Sequence, residues 1–441
     1  MEAAKKSIYD TVLIESNDQK QRIDLRTSIV AFEYYEDIFS PIVTAKIKIV
    51  NTGNSASTEK DTSKQSLYNG LPLRGGERIA IKVRPNTKTN IALDFANKIE
   101  NYFYVSSITD VIAETQRESF TLHLVPREAI TNETVRVTRK YPTSLSIDGS
   151  VEKILKEVLQ SKKIGKIDKT SNKYGFIGNM RKPFTILTWL ASKSVPTESK
   201  DGTAGFLFYQ TKDGFNFRSI DEMNKEKPKA TYIYTEAVQS YSEENQKINN
   251  DFKILNYFID RNQNLIEKLR LGTYASYRMF FNPLDFKFSK PEEGVFKQSD
   301  YVKSTENLGD RLKLPKVSDG SEQTLGDIPS RMITQILDVG TLEQNVSTDK
   351  NSDPQKYQSQ SLMRYNSLFT QQLNLIVPLN TNLSAGNIIE CNFPKISSSD
   401  RKEFDQETSG LYMIKELCHH FDTESSYTSM KLVRDTFGQK K

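Results

Sequence analysis

Three histidines, two cysteines and several small carboxylate clusters are the residues through which this 441-residue chain could do chemistry. His419 and His420 are adjacent, and His123 stands far from both in sequence. Neighbouring side chains in a strand point to opposite faces, so the pair does not make one metal site, and ordinary strand positions are expected. Cys391 and Cys418 lie in stretches of strand character. Two cysteines cannot build a multi-bridge framework, and buried free thiols are the expectation. Glu33, Glu36 and Asp37 could supply paired carboxylates for glycoside chemistry. Their place just before Pro41 and a strand reads more simply as a solvated turn. The stretch "YASYRMFF", Tyr274 to Phe281, interleaves aromatics with arginine as a base-stacking face does. A core strand with one polar face would show the same pattern. "GLPLRGGE", from Gly70 to Glu77, lacks the lysine and following helix of a phosphate loop and reads as a turn. The sequence holds neither a dinucleotide fingerprint, a nucleophile elbow nor a His-Glu-x-x-His motif. No catalytic, cofactor-binding or metal-ligating residue is therefore assigned, no cofactor is expected, and the chain is not expected to be an enzyme.

Composition points the same way. The formal charge is +5, from 61 basic and 56 acidic side chains. So near a balance gives no whole-chain nucleic-acid footprint. The local clusters Lys162-Lys163 and Lys225 to Lys229 read as solvated faces. Apolar residues make up only 36%, yet there are 20 Tyr and 23 Phe, which suits aromatic-rich strands joined by long polar loops. No run approaches the roughly 18 apolar residues of a transmembrane helix. The start, "MEAAKKSIYDTVLIES", lacks an apolar signal core, so a reducing cytoplasm is the expected place of synthesis.

The elements that would carry these residues are mostly strands. Ile42 to Val50 alternates around Ala45, Ile47 and Ile49. The polar tract from Asn51 to Gly70 offers little to pack and is expected to be a mobile surface loop. Phe103 to Ile112 and Phe120 to Val125 predict a hairpin turning around Glu114 to Arg117. Residues 1–128 thus predict a small β-barrel domain. Residues 129–230 change period and predict an α/β domain. Val151, Ile154, Leu155 and Val158 share a helix face, with Ser150 as the N-cap candidate. A second helix starts at Pro183 and carries Phe184, Leu187, Leu190 and Ala191 on one face. A hairpin with Asp213-Gly214 at its turn follows. Strands return over 231–290 as the first part of a second β-barrel. Residues 291–362 read as a polar insertion or arm with a helix that runs on past its end, with Leu362, Tyr365 and Leu368 on one stripe. The rest of the second barrel is placed at 363–441. The fold class is α+β, mainly β, with two similar small barrels, a central α/β domain and a polar insertion.

A weak repeat ties the two ends together. "LRGGERIAIKVRP", "FYVSSITDVI" and "LHLVPRE" match "LSAGNIIECNFP", "YMIKELCHHF" and "MKLVRDT". Leu73 falls on Leu383, Gly76 on Gly386, Phe103 on Tyr412, and Leu124-Val125 on Leu432-Val433. A period of roughly 310 residues is too long for a solenoid and suggests two copies of one β-domain, the second split by an insertion.

This order resembles the baseplate hub proteins of contractile-tailed, T-even-type phages and the N-terminal part of VgrG-type spikes of type VI secretion. "FEYYEDIFSPIVTAKIKIVNT", "SFTLHLVPREAITNE", "GFIGNMRKPFTILTWLASKS…GFLFYQTKDGFNFRSI" and "SGLYMIKELCHHFDTESSYTSMKLVRDTFG" carry the likeness. The Asn51–Gly70 tract and the polar region 291–354 depart from it. The resemblance implies a structural virion protein of the tail baseplate, assembled in the host cytoplasm. It implies a homotrimer whose six barrels form a pseudo-sixfold ring joining a sixfold tail tube protein to a trimeric central spike protein. Baseplate wedge proteins are further candidate partners. No membrane insertion is implied, and DNA meets the ring only by passage through its lumen. A spike or wall-degrading part is expected on a separate chain. The alternatives left open are a tail-associated glycan-binding or hydrolytic module, the hub of a related contractile injection system, and a nucleic-acid-binding barrel protein.

Overall fold

A computed structural model describes residues 3–52, 56–58, 61–71, 73–197, 203–235, 250–260, 264–301, 305–310, 313–338, 354–395 and 404–438. The N-terminal part is nearly all strand: β1 (Ile8–Glu15), β2 (Arg22–Asp24), β3 (Ile29–Asp37), β4 (Thr44–Asn51), β5 (Ala56–Thr58), β6 (Asp61–Gln65), a turn of helix α1 (Leu67–Gly70), β7 (Arg78–Arg84), β8 (Leu93–Asp94), β9 (Phe103–Ala113) and β10 (Glu118–Pro126). A mixed segment follows: α2 (Arg127–Thr134), β11 (Lys140–Tyr141), α3 (Ile147–Lys153), β12 (Ile164–Ile167), β13 (Phe176–Ile177), α4 (Pro183–Ala191), β14 (Phe206–Thr211), β15 (Gly214–Ser219) and α5 (Ile220–Asn224). Then come β16 (Thr231–Ile233), β17 (Asn256–Asp260), α6 (Leu265–Arg270), β18 (Ala275–Asn282), β19 (Lys287–Phe288), α7 (Pro291–Gly294), β20 (Val295–Lys297), β21 (Arg331–Ile336) and α8 (Pro354–Ser367). The chain closes with β22 (Gln371–Pro378), β23 (Ile388–Asn392), β24 (Gly410–Asp422) and β25 (Ser426–Arg434).

Strands from both ends make one large sheet. Its path is β17-β22-β25-β24-β3-β4-β10-β9-β7-β1-β2, with β23 joining β24 to β16 and β8 lying on β7. Two runs of identical order lie within it: β3-β4-β10-β9-β7-β1, and β17-β22-β25-β24-β23-β16. They differ at the last step, where β1 is antiparallel to β7 but β16 is parallel to β23. Each run wraps one apolar core, because alternate residues of each strand point inward. Val12, Phe32, Ile47, Ile79 and Leu122 fill the first. Tyr232, Leu375, Ile389, Ile414 and Leu432 fill the second. Phe421 and Leu379 come from the second run yet pack in the first core, Phe421 stacking on Phe32 at 5.7 Å.

The central segment packs α3 and α4 on the small sheet β12-β15-β14. Pro183 takes the first helical position of α4, and Phe184, Leu187, Leu190 and Ala191 are buried, as the sequence predicts. The first helix begins earlier than expected. Ser146, not Ser150, is its N-cap residue, and Ser150 is buried inside the helix. Asp148 in its first turn lies where the positive end of the helix favours an anion.

Three further expectations are corrected. Ala275–Asn282, with Tyr274 just ahead of it, was expected to start the second barrel. Instead β18 leads a separate sheet with β19, β20 and β21, the last lying within the polar region. Alternation identifies a strand, not its partner. The Asn51–Gly70 tract is not mere surface, since Leu67 is buried in the first core and its N–H donates to Glu118 Oε1 at 2.6 Å. Within this tract, residues 53–55, 59 and 60 lie outside the described set. Glu33, Glu36 and Asp37 sit in strand β3 rather than in a turn.

Candidate functional site

The junction between the two strand runs is built by β24. Its first residues pair with β23, with Ile388 opposite Met413 and Ile389 opposite Tyr412. Its last seven pair with β3, from Glu416 opposite Asp37 to Asp422 opposite Ala31. One long strand thus belongs to both runs and joins them edge to edge.

The repeat holds at the level of single hydrogen bonds. Gly76 N–H donates to Val105 O at 2.8 Å, and Gly386 N–H to Ile414 O at 2.8 Å. Val105 N–H returns to Glu77 O, and Ile414 N–H to Asn387 O, both at 2.9 Å. The Glu77 carboxylate accepts from Arg74 N–H at 2.8 Å, and Asn387 Oδ1 from Ser384 N–H at 3.0 Å. Gly76 and Gly386 have φ of +94° and +85°, a conformation that favours glycine. Leu124 faces Val105 as Leu432 faces Ile414. Each pair of strands then carries a bulge at the same place, Ser106 in one and Lys415 in the other. Bulges of this kind re-aim a strand locally.

Glu36 locks the junction to the central segment. It is buried, and its carboxylate accepts from Tyr34 Oη at 2.8 Å, Lys212 N–H at 2.6 Å and Ala385 N–H at 2.8 Å. Those donors come from β3 itself, the β14–β15 turn and the turn before Gly386. Burial raises the Glu36 carboxyl above its ordinary range despite the nearby Lys212 charge. Lys212 Nζ donates to Thr381 O at 2.5 Å and Leu383 O at 2.9 Å, and burial lowers its pKa.

The histidines divide as the strand geometry requires. His419 points into the core, stacks on Tyr34 and meets Thr428 Oγ1 at 3.0 Å through Nδ1. Burial, with the Lys212 charge, lowers its pKa to about 3. His420 faces outward, 3.1 Å from Glu33 Oε1 and stacked on Tyr427. His123 meets Thr109 Oγ1 at 2.9 Å on β9. Cys391 and Cys418 lie in β23 and β24 as free thiols, Cys391 buried and Cys418 half-buried, where burial pushes Cys418 up to about 12. Among the described residues no group of three or more His, Cys, Asp or Glu could hold a metal ion. No described helix is long and apolar enough to cross a membrane.

One buried cluster gave no sequence signal. Arg364 of α8 is 1% exposed. It donates to Asp221 Oδ1 at 2.7 Å, Asp435 Oδ2 at 3.1 Å and Glu306 O at 3.0 Å. A basic residue on a polar helix reads as solvated, so nothing in "SLMRYNS" marked it. Its carboxylate partners come from α5 and from the residue after β25. A cavity of about 430 Å³ opens beside it, lined by Tyr274, Lys313, Leu314 and Met363 among others. The arrangement clamps separate segments together and presents no nucleophile–base pair.

No family model matches the chain. One curated relative is a protein described as a probable baseplate hub protein, gp334, of Vibrio phage KVP40, 19% identical over 293 residues that span 66% of each chain. Among solved structures, the tail protein from Neisseria meningitidis MC58 aligns with a TM-score of 0.52 at 10% identity over 97% of both chains. The 43 kDa tail protein of prophage MuSo2 from Shewanella oneidensis aligns with a TM-score of 0.51 at 6% identity, over 97% of this chain and 98% of that one. The likeness to baseplate hub proteins read from the sequence is therefore met again in a curated relative, and the fold is similar to that of phage tail proteins.

Proposed function

We propose that this protein is a structural component of a phage tail baseplate, a hub that acts by geometry rather than by catalysis. Three copies form a ring in which each chain supplies two equivalent stations, giving six. Such a ring meets a sixfold tail tube on one side and keeps threefold symmetry for a central spike on the other. The observation that carries this reading is the doubled turn and bulge. Gly76 and Gly386 make the same pair of backbone bonds in two runs of the same strand order. Two copies of one unit fused through β24 are what a chain needs to fill two of six like positions. The relative's description as a hub and the tail-protein fold support it. Particle imaging of the purified chain, with native mass measurement, is the test. A threefold ring with six similar lobes is expected, and a monomer at micromolar concentration would sink the proposal.

A further inference from the structure

The cavity beside Arg364 lies where the insertion folds back on α8 and on the end of β25. Its volume of about 430 Å³ is about three times that of an aliphatic cavity that holds one benzene. Tyr274 and Met363, both buried, and Leu314, half-buried, give it an apolar wall. Pockets of this size with an apolar wall and a few convergent polar groups are where small ligands bind. The polar groups decide which ligand. Two carboxylates line the cavity, and both are engaged. Asp435 accepts from Arg364 Nη1 at 3.1 Å and from Leu308 N–H at 3.0 Å. Asp327 accepts from the N–H and the Oγ1 of Thr324, each at 2.8 Å.

The cations are less well answered. Lys313 and Lys316 line the cavity from its exposed side and form no ion pair among the described residues. Thr370 lines it too, and behind Thr370 the buried Lys268 donates to Thr370 Oγ1 at 2.7 Å, with no carboxylate partner among the described residues. Arg364 has both Nη atoms bonded, yet its buried Nε–H has no acceptor among the described residues. A buried charged donor left unmet is costly, and such a group calls for an acceptor. We propose that this cavity binds a small amphiphilic monoanion, a carboxylate on an apolar body of about eight to ten carbons. The carboxylate accepts from Arg364 Nε–H in a charge-assisted bond, and the body lies against Tyr274, Leu314 and Met363. Lys313 and Lys316 favour an anion and disfavour a cation at the same place. Every residue of the site comes from one chain, so the site does not depend on the ring.

Equilibrium dialysis of the full chain against labelled octanoate tests this, with octanol and octyltrimethylammonium as controls. One octanoate per chain is expected, with octanol weaker by about tenfold or more and no binding of the cation. Leu314→Trp fills the cavity from its half-buried side and removes no polar partner. It is expected to weaken octanoate by about tenfold or more without lowering the Tm of the free chain. Lys313→Glu combined with Lys316→Glu, both exposed, is expected to weaken octanoate several-fold and to leave octanol unchanged. Octanol held as tightly as octanoate overturns the anionic class. Octanoate held unchanged by both the Leu314→Trp chain and the double lysine variant overturns the site. No uptake of millimolar octanoate overturns the proposal outright. A monomer in native mass measurement would sink the ring and leave each of these outcomes as it is.

Discussion

Arg364 shows how far a single side chain can decide stability here. It neutralises two carboxylates away from water, Asp221 and Asp435, whose side chains are 3% and 1% exposed. Removing one member of such a buried set costs about 3–5 kcal/mol, because the charges left behind have no solvent. Arg364→Ala is expected to lower the stability measured by urea unfolding by that amount, whereas an exposed control such as Arg26→Ala should move it by less than about 1 kcal/mol. His419 makes a second case, through pH. Its pKa is about 3 in the fold against an ordinary 6.5. Between those values the unfolded chain binds a proton that the fold refuses, so this contribution is complete above pH 6.5 and is lost as pH falls towards 3. Glu36, raised by burial, acts in the opposite sense and favours the fold more as pH drops. The comparison must therefore be with His419→Gln. That variant is expected to lose stability less steeply between pH 6.5 and 4.5, by up to about 1.4 kcal/mol per pH unit. Parallel profiles in urea titrations would contradict it. The opposite faces of His419 and His420 were legible beforehand, since strand alternation is local. The burial of Arg364 was not, because burial of a charge depends on partners far along the chain.

Gly386 carries the argument at the level of elements. It mirrors Gly76, and both have positive φ, so any larger residue pays about 1–3 kcal/mol of backbone strain at either site. Their surroundings differ. A Cβ on Gly76 would meet the Asn17 side chain at 3.0 Å, which can swing aside. A Cβ on Gly386 would lie 2.4 Å from Tyr209 Oη and 2.8 Å from Met223 Cε, both buried in the central segment. Gly386→Val is therefore expected to destabilise by about 1–3 kcal/mol more than Gly76→Val. Equal melting temperatures for the two variants would sink this account. Much of the fold was legible at this scale. The β9–β10 hairpin, the Pro183 helix and the β14–β15 hairpin follow from local periodicity and turn residues. The pairing of β18 with β21 did not. Aromatic alternation in Tyr274 to Phe281 suits any half-buried strand, and the choice of sheet was made by residues near 331, whose own pattern is too short to announce it. The junction was half legible. The repeat aligned β9 with β24, yet nothing local says that β24 turns its far half towards β3.

For the whole molecule the consequence is that the two strand runs share core and edge residues. The first core takes Leu379 and Phe421 from the second run, β24 covers the open edge of β3, and Ala385 N–H binds buried Glu36. Residues 1–230 contain the first run and the central segment but none of these three. Without Phe421 the face of Phe32 is bared, and burying an aromatic of that size is worth about 1.5–3 kcal/mol. The loss of the Ala385 bond leaves a buried carboxylate one donor short, at a cost of about 1–3 kcal/mol. The uncovered β3 edge is at the same time a site for pairing with other chains. Expressed alone, residues 1–230 are expected to aggregate or to bind a hydrophobic dye. The full chain should instead melt with the two strand runs lost together. The check is hydrogen exchange during urea titration. Amides of β4 and β22 should lose protection at the same denaturant concentration. A soluble 1–230 fragment melting at the temperature of the full chain would show that the first run stands alone, and that β24 joins two independent bodies instead of completing one.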